Sequence, residues 1–398
     1  MALLVFAAPA EADKLEVNTT ADHKPGKCTK RDCTLREAII RANENDGGDK
    51  VRVSAANGPY ELTRSGAGED LAVKGDLDVE PPLEVVGTRG RAVIRQTAGD
   101  RIFHTQPGFT FDVSLRKLTL TGGSGVPSGG ALLAEDQTFV SDSVIRDNRA
   151  GVGGGIATGG TDARLGITQT TITGNRATDA GGGLYLTGND GVASGVGLST
   201  VAGNRAPVGG GVYALLGDGD LNLNNSTVTE NRAAPGVDAT GGGVYMAVTS
   251  GAGVARLGHT TVASNEAPAG GGKAANLQAL SEVQMENTIV ADPVGASQNC
   301  TFDVESAGHN LDDGTTCGLD QGTDVEELGA GLKPLADNGG PTETMALKAS
   351  SGALAGGTCP GTLIVFGVDQ RGAGRPAEIQ GLSCDIGAYE RDPTSPPD

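Results

Sequence analysis

This sequence has no tryptophan and few aromatic residues of any kind. Aromatics make up 3% of its 398 residues, so the stacking platforms used by many single-stranded nucleic acid binders are scarce. Positive charge is also in the minority, with 30 Lys and Arg against 49 Asp and Glu and a formal net charge of −19. This balance argues against nucleic acid and anionic membranes as partners, and it favours a soluble monomer.

Long apolar segments and familiar catalytic motifs are missing as well. No stretch approaches the ~18 to 20 apolar residues that span a bilayer. The sequence contains no Gly-x-Ser-x-Gly elbow, no His-Glu-x-x-His motif and no phosphate-binding Gly-Lys-Ser/Thr. Residues 1–12 hold a short apolar run ending in Ala10-Glu11-Ala12, which indicates the remnant of a secretory signal. A frayed apolar terminus is the alternative.

Six cysteines fall into three pairs that are local in sequence and avoid the middle of the chain. An even number in this arrangement favours disulfides formed in an oxidising compartment. Metal ligation is the competing interpretation, but no Cys-x-x-Cys occurs and the four histidines are scattered. The predicted pairs are Cys28 with Cys33, Cys300 with Cys317, and Cys359 with Cys384.

A repeat of about 28 residues fills the middle of the chain. Each copy has a β-branched run, an asparagine and then a triple glycine, and the asparagines are Asn148, Asn175, Asn204, Asn231 and Asn265. Such a period is typical of a solenoid, in which each coil buries its apolar face against its neighbours. The spacing suits three short strands and three turns per coil, stacked in parallel ~4.8 Å apart. We therefore predict an all-β solenoid, a single-stranded parallel β-helix, over residues 50–290.

The two ends of the chain differ from the repeats. Thr34 and Glu37 form a capping-box pattern at the start of one amphipathic helix, whose apolar face can cover the open end of the first coil. The predicted organisation is a signal remnant at 1–12, an N-terminal cap at 13–49, the repeats, an irregular disulfide-containing continuation at 291–338, a distinct segment at 339–390 and a disordered tail at 391–398.

Both ends resemble those of known secreted proteins. The segment Cys33-Thr34-Leu35-Arg36-Glu37-Ala38 resembles the CSLREA motif, with Thr34 in place of serine. Asp369-Gln370-Arg371-Gly372 and Asp385-Ile386-Gly387-Ala388-Tyr389-Glu390 resemble the choice-of-anchor Q domain. The repeats are similar to those of polymorphic outer-membrane proteins, a family associated with adhesion. The resemblance implies a secreted or surface-displayed, right-handed, pectin-lyase-like β-helix, and it supplies no catalytic residue.

The repeated asparagines should form a ladder at one turn, in which each side chain bonds the next amide and tolerates left-handed backbone geometry. Arginines follow four of them, at Arg149, Arg176, Arg205 and Arg232, so like charges would recur every ~4.8 Å. Such a row could hold an anionic polymer. The alternative, which the overall charge favours, is a solvated row paired with Asp147, Glu230 and turn carbonyls.

Three tyrosines also recur at equivalent positions, namely Tyr185, Tyr213 and Tyr245. Each alternates with aliphatic residues of a predicted strand, so the rings should point outward in one column. An outward column of rings could bind sugars. It could equally shield a flat sheet through ring contacts, and this structural interpretation is favoured.

Acidic residues follow the glycine-rich strands at Asp136, Asp162, Asp190 and Asp218, and Asp220 lies beside the last of these. Asp190, Asp218 and Asp220 are candidates for acid/base cleavage of a polysaccharide. Asp136, Asp162, Asp190 and Asp218 are candidates for calcium, the one cofactor that the sequence suggests. Gly-Asn-Asp-Gly and Gly-Asp-Gly-Asp are ordinary turn sequences, so a structural role is favoured for all five.

The family resemblance, rather than any site, leads to one principal hypothesis. It implies a secreted or cell-surface, non-catalytic β-helix protein that binds a glycan or a protein partner, with adhesion as its role. A polysaccharide lyase or glycoside hydrolase of the pectin-lyase-like fold is the alternative, and a structural spacer is the second. An enzyme of this fold should interrupt its repeats at a groove of acids and bases, whereas the repeats here run unbroken from Asn148 to Gly243.

Overall fold

A computed structural model describes residues 12–45, 47–66, 68–107, 112–160, 163–188, 193–234, 239–249, 251–270, 273–280, 282–296, 298–359, 367–376, 383–392 and 394. The predicted signal remnant, apart from its last residue, lies outside these residues, as does most of the predicted tail. The described chain forms four sheets whose neighbouring strands come from successive coils. The predicted parallel β-helix is therefore confirmed.

Each central coil has four strands, so the prediction of three was wrong. In one coil they are Thr138–Ser141, Val144–Arg146, Arg149–Val152 and Ile156–Thr158, which belong to sheets 1, 2, 3 and 4 in that order. The fourth side arises because the residues directly after each ladder asparagine pair with their equivalents in the next coil, as Arg149 does with Arg176. The segment after each ladder asparagine, which the sequence suggested was a turn, is thus a short strand.

Sheets 1 and 2 each have eleven strands. Sheet 1 contains Lys14–Glu16, Asp49–Ser54, Leu83–Thr88, Val113–Arg116, Thr138–Ser141, Leu165–Thr168, Ser194–Gly197, Leu221–Asn224, Ala255–Gly258, Val283–Glu286 and Glu305–Ser306. Sheet 2 contains Tyr60–Leu62, Ala92–Gln96, Leu118–Thr121, Val144–Arg146, Thr171–Thr173, Thr200–Ala202, Thr227–Thr229, Thr261–Ala263, Ile289–Ala291, Leu311–Asp312 and Val325–Glu326. Strand pairing therefore continues beyond residue 290, to Glu326.

Sheets 3 and 4 are smaller. Sheet 3 has seven strands, which are Val126–Ser128, Arg149–Val152, Arg176–Ala180, Arg205–Ala206, Arg232–Ala233, Glu266–Ala267 and Val294–Gly295. Sheet 4 has eight, which are Leu77–Val79, Phe103–Thr105, Leu132–Ala134, Ile156–Thr158, Leu184–Gly188, Val212–Leu216, Val244–Val248 and Leu277–Ala279. Buried and more exposed residues alternate along strands such as Asp49–Ser54, Leu184–Gly188 and Leu221–Asn224, which therefore have one face in the core and one face outside.

Helix α1, Leu35–Asn43, covers the first coil as predicted. The Thr34 hydroxyl accepts a hydrogen bond from the Glu37 N–H, and the Glu37 carboxylate accepts one from the Thr34 N–H. This reciprocal pair fixes the helix start. Leu35, Ala38 and Ile39 are buried in the core cluster of the first coils.

The predicted asparagine ladder is confirmed. Each side-chain N–H of Asn148, Asn175, Asn204 and Asn231 donates to the carbonyl oxygen of the next asparagine side chain at 3.0 Å. All five asparagines are fully buried. Left-handed backbone falls on the residue before each asparagine, at Asp147, Gly174, Gly203, Glu230 and Ser264. The expectation that the asparagines themselves adopt it was wrong, because their own N–H must face the ladder.

A C-terminal strap, residues 328–359, 367–376 and 383–392, folds back over the outer face of sheet 2. Its Gln370 side chain accepts from the Thr227 hydroxyl at 2.7 Å and donates to the Thr200 hydroxyl at 2.9 Å. The three predicted disulfides are confirmed, and that between Cys359 and Cys384 lies within the strap. The strap thus reaches back over several coils.

Candidate functional site

Arginines form a column on the outer face of sheet 3. In parallel register Arg149 pairs with Arg176, Arg176 with Arg205, and Arg205 with Arg232. The column ends where Arg232 pairs with Glu266. Each arginine directly follows a ladder asparagine, so the buried ladder fixes the backbone from which the arginine side chains extend.

The carboxylates expected to neutralise this column were Asp147 and Glu230, and among the described residues neither pairs with it. Asp147 pairs instead with Arg146, at 2.7 Å, and the end of the column, Arg232, pairs with Glu266 at 3.1 Å. Among the described residues, Arg149, Arg176 and Arg205 have no ion-pair partner. Two unit charges one strand spacing apart repel by about 1 kcal/mol even in bulk water. The three arginines therefore form an uncompensated cationic row, which an anion would relieve.

The three free arginines line a shallow groove of about 380 Å³. Small residues form the rest of its lining, at Ala150, Ala177, Thr178 and Ala234. Arg149 and Arg176 are exposed, and Arg205 is half-buried. Because the groove follows successive coils, it suits an extended polymer that lies parallel to the axis of the solenoid.

The predicted tyrosine column is confirmed on the outer face of sheet 4. Its ring centroids lie 5.1 Å apart between Tyr185 and Tyr213 and 5.0 Å apart between Tyr213 and Tyr245, with 2° between the planes. The middle ring is therefore covered on both faces by its neighbours. Such a stack presents ring edges and hydroxyls rather than the open faces on which sugar rings stack. Burial raises the pKa of all three phenols.

The acidic candidates that the structure describes take part in turn contacts. Asp220 forms an ion pair with Arg256 at 2.6 Å and accepts from the Val254 N–H at 2.8 Å. Asp218 accepts from the Ala252 N–H, and the buried Asp136 accepts from the Gln137 N–H. Asp162 and Asp190 lie outside the described residues. The catalytic and calcium roles of these residues stay predictions.

A cluster of acids around one imidazole lies at the first coils of sheet 4, and the sequence patterns did not reveal it. His104 Nε2 lies 2.7 Å from a Glu135 oxygen, and Nδ1 lies 3.3 Å from an Asp78 oxygen. Burial lowers the pKa of His104, but the hydrogen bonds to Asp78 and Glu135 outweigh it, so that the pKa is raised. Both ring nitrogens are therefore engaged in holding neighbouring coils together.

Asp76 belongs to the same region, where it lies 3.4 Å from Arg101. Burial, with the negative charges of Asp78 and Asp100, raises the pKa of Asp76 to about 7. A carboxyl group with such a pKa is a frequent feature of acid/base catalysis. Here the Asp76 side chain is only 6% exposed, so a substrate would have little access to it.

The pKa of Asp76 makes stability depend on pH. Because the pKa is raised in the folded state, folding takes up a proton between about pH 4 and 7, and the stability it gives is lost as pH rises through 7. The raised pKa of His104 acts in the same direction. Asp76→Asn should therefore raise the free energy of unfolding by on the order of 2 kcal/mol at pH 8 and by much less at pH 5.

Urea denaturation at both pH values measures this difference. The matched control is Asp320→Asn, since Asp320 is exposed and lies outside this acidic cluster, so it should change neither value by more than about 0.5 kcal/mol. An equal effect of Asp76→Asn at pH 5 and pH 8 would contradict the assignment of the raised pKa.

Two groups of described residues place three potential metal ligands within 4.8 Å of one another. They are His23 with Asp32 and Glu37, and Asp70 with Asp78 and His104. In the second group the Asp78 oxygens already accept from the Ala72 N–H and the Gln106 amide. Neither group includes the predicted calcium ligands Asp136 or Asp218.

A solved structure titled "Crystal structure of pectate lyase Pel9A" is similar to this chain. It aligns over 96% of this chain and 97% of that chain, with a TM-score of 0.53 and 12% sequence identity. The fold is pectate lyase-like. No protein-family model and no curated protein matches the sequence. At this identity the likeness extends to the fold alone, so the site must be argued from the residues of this chain.

The pectate lyase-like coil explains which features the sequence could reveal. Columns on one sheet repeat with the coil, so the arginines and tyrosines were visible in the sequence. The His104 cluster joins Asp78, His104 and Glu135 from three coils that share no repeated motif. Within the described part of the chain, no helix is long and apolar enough to cross a membrane.

Proposed function

We propose that this protein is a secreted, non-catalytic β-helix protein that binds an acidic polysaccharide along the arginine column of sheet 3. The observation that supports this most directly is the in-register row of Arg149, Arg176 and Arg205 without carboxylate partners. A linear polyuronate has a carboxylate on each sugar, so one chain can meet several arginines in succession. Guanidinium groups suit this contact because they bind carboxylates through two parallel hydrogen bonds.

Several further observations support secretion and glycan binding. Three disulfides are compatible with an oxidising compartment. The resemblance of the two ends to CSLREA-motif and choice-of-anchor Q proteins favours export and adhesion. The similar fold belongs to a protein named as a pectate lyase, and pectate is itself an acidic polysaccharide. Neither a catalytic residue nor a cofactor is part of the proposal.

Replacing arginines of the column should lower the affinity of the protein for an acidic polysaccharide. In a calorimetric titration with polygalacturonate at low salt, Arg176→Gln/Arg205→Gln should lower the affinity about 10-fold, because two charge contacts at the protein surface of ~0.5 to 1 kcal/mol each are removed. The wild-type affinity should also fall as salt is added. Arg31→Gln/Arg95→Gln is the matched control, since it removes the same charge from exposed positions outside sheet 3.

An assay for cleavage of the same polysaccharide separates the alternative functions. Release of unsaturated or reducing ends by the wild-type protein would replace the proposal with a polysaccharide lyase or a glycoside hydrolase. Absence of binding to polygalacturonate and to a panel of neutral and acidic polysaccharides would leave a structural spacer. An equal loss of affinity in the control variant would show that only overall charge matters.

The tyrosine column is a second proposed contact with glycans. The hydroxyls of Tyr185, Tyr213 and Tyr245 have no hydrogen-bond partner among the described residues, and the column lies along the axis on sheet 4. A row of hydroxyls favours hydrogen bonding to sugar hydroxyls over ring stacking, because the ring faces are occupied. This contact would be independent of salt, unlike that of the arginines.

A further inference from the structure

A second groove, of about 350 Å³, lies on the outer face of sheet 1 at its first coils. Five of its lining residues are cationic, which is unusual in a chain with a net charge of −19. They are Lys14, Lys50, Arg52, Arg116 and Lys117. We call this feature the basic groove. It belongs to a different sheet from the arginine column.

Strand register places the cations of the basic groove around a gap. Lys14 pairs with Lys50 on the next coil, and Val86 stands between Arg52 and Arg116 in the neighbouring column. The two arginines are thus two strand spacings apart, or about 10 Å. Next to Val86, a Cβ atom at Gly87 would collide with the Lys117 carbonyl oxygen. Glycine is therefore required at that position. Between the two arginines the floor of the groove is the buried side chain of Val86, which is shorter than those of the arginines on either side.

The carboxylates near the basic groove do not balance its cations. Glu84 forms ion pairs with two of them, Lys50 at 2.6 Å and Arg116 at 2.9 Å. Glu16 forms an ion pair with Arg52 at 2.6 Å. Burial opposes ionisation of Glu84, but its bonds to the two cations outweigh this and lower its pKa.

The other two cations, Lys117 and Lys14, have a distant carboxylate partner or none. Lys117 lies 3.9 Å from Asp142, which pairs more closely with Arg91, at 2.7 Å. Lys14 has no ion-pair partner among the described residues. Positive charge is therefore left over in a concave site, where an anion can meet several cations at once.

We propose that the basic groove binds a phosphate or sulfate ester of a sugar. Both esters present three terminal oxygens around one centre, which matches Lys and Arg donors that approach from two sides. A groove of about 350 Å³ also exceeds the space of the ester group, given that one water takes up about 30 Å³ in the liquid. The remaining volume accommodates the sugar ring that bears the ester.

Titration calorimetry at low salt tests this with three probes, glucose 6-phosphate, glucose 6-sulfate and glucose. The two esters should bind and glucose should not. Lys14→Ser/Arg116→Gln should weaken ester binding at least about 10-fold. Glu84→Gln should strengthen it a few fold, because it frees Lys50 and Arg116 for the ligand. These opposite changes cannot both come from misfolding.

The outcomes also separate this proposal from that of the arginine column. Arg176→Gln/Arg205→Gln should bind the esters as the wild type does, and Lys14→Ser/Arg116→Gln should retain binding to polygalacturonate. Preference for one ester identifies the phosphate or the sulfate as the natural group. The proposal is overturned if neither ester binds, or if Lys14→Ser/Arg116→Gln binds the esters as tightly as the wild type does. It is also overturned if Arg176→Gln/Arg205→Gln no longer binds the esters.

Discussion

Replacing Asn204 with leucine is expected to lower the free energy of unfolding by about 4 kcal/mol or more. Asn204 Oδ1 accepts from both the backbone and the side-chain N–H of Asn175, at 3.0 Å each. Its Nδ2 donates to Asn231 Oδ1 and to the Ile172 carbonyl oxygen. Leucine fills the space but removes the partners of the Asn175 backbone N–H, of one Asn175 side-chain N–H and of the Ile172 carbonyl oxygen, whereas Asn231 Oδ1 keeps its bond from the backbone N–H of residue 204. Each buried group left unpaired costs about 1 to 3 kcal/mol.

Urea denaturation measures this loss, and Asn222→Leu is its control. Asn222 lies on the outer face of sheet 1, and its side chain has no hydrogen-bond partner among the described residues, so the same substitution should change stability by less than about 0.5 kcal/mol. If Asn204→Leu were as stable as Asn222→Leu, the ladder would not support the fold. The arginine column would then have no rigid base.

Replacing Arg375 with methionine is expected to release the C-terminal strap. The fully buried Arg375 side chain donates to Asn225 Oδ1 at 3.0 Å and to the Gly387 carbonyl oxygen at 2.7 Å, and it pairs with Glu390 at 3.0 Å. Burial first and the nearby Asp385 second raise the pKa of Glu390 to about 7. Removing one partner of a buried pair costs about 3 to 5 kcal/mol.

Hydrogen exchange is the direct measurement for Arg375→Met. We expect faster exchange in residues 367–376 and 383–392, with little change in the asparagine ladder. His259 provides a second readout, because burial and then the charge of Arg375 lower its pKa to about 3, and the pKa should rise once the strap opens.

Arg95→Met is the matched control for the strap variant. Arg95 pairs with Glu61 at 3.3 Å, and both side chains are more than 40% exposed, so its loss should cost at most about 1 kcal/mol. Unchanged exchange in the strap of Arg375→Met would show that the disulfide and the Gln370 contacts hold it without the arginine.

The position of the strap bears on the proposed function. Its hydrogen bonds reach sheet 2 through Thr200, Thr227 and Thr261, whereas the arginine column stands on sheet 3 and the basic groove on sheet 1. The two cationic surfaces therefore face different sides of the solenoid. If both proposals hold, one molecule could contact two anionic groups at once.

Some features were predictable because they repeat with the coil. The ladder asparagines, the tyrosine column and the cap helix each follow from local spacing or a local capping pattern. Asn276 was missed, although its side chain accepts from Asn265 at 2.9 Å. It comes only 11 residues after Asn265 and follows no β-branched run, so its place in the ladder depends on a shortened coil that the period of the repeat cannot show.

The number of strands per coil was predicted incorrectly for a related reason. The short strands of sheet 3, such as Arg205–Ala206 and Arg232–Ala233, are two residues long, too short to leave a pattern of alternation. They exist because neighbouring coils supply hydrogen-bond partners in register. A strand of that length is defined by its neighbours rather than by its own residues.

The sequence alone determined the stacking of this protein, since a fixed repeat decides which residue lies above which and thus creates the asparagine, arginine and tyrosine columns. Tertiary structure alone decided which charges are neutralised. Arg91 pairs with Asp142 at a separation of 51 residues, and Arg375 reaches Asn225 across 150 residues. Ion pairs depend on distances between side chains in space, and the repeat fixes such distances only between equivalent positions of adjacent coils.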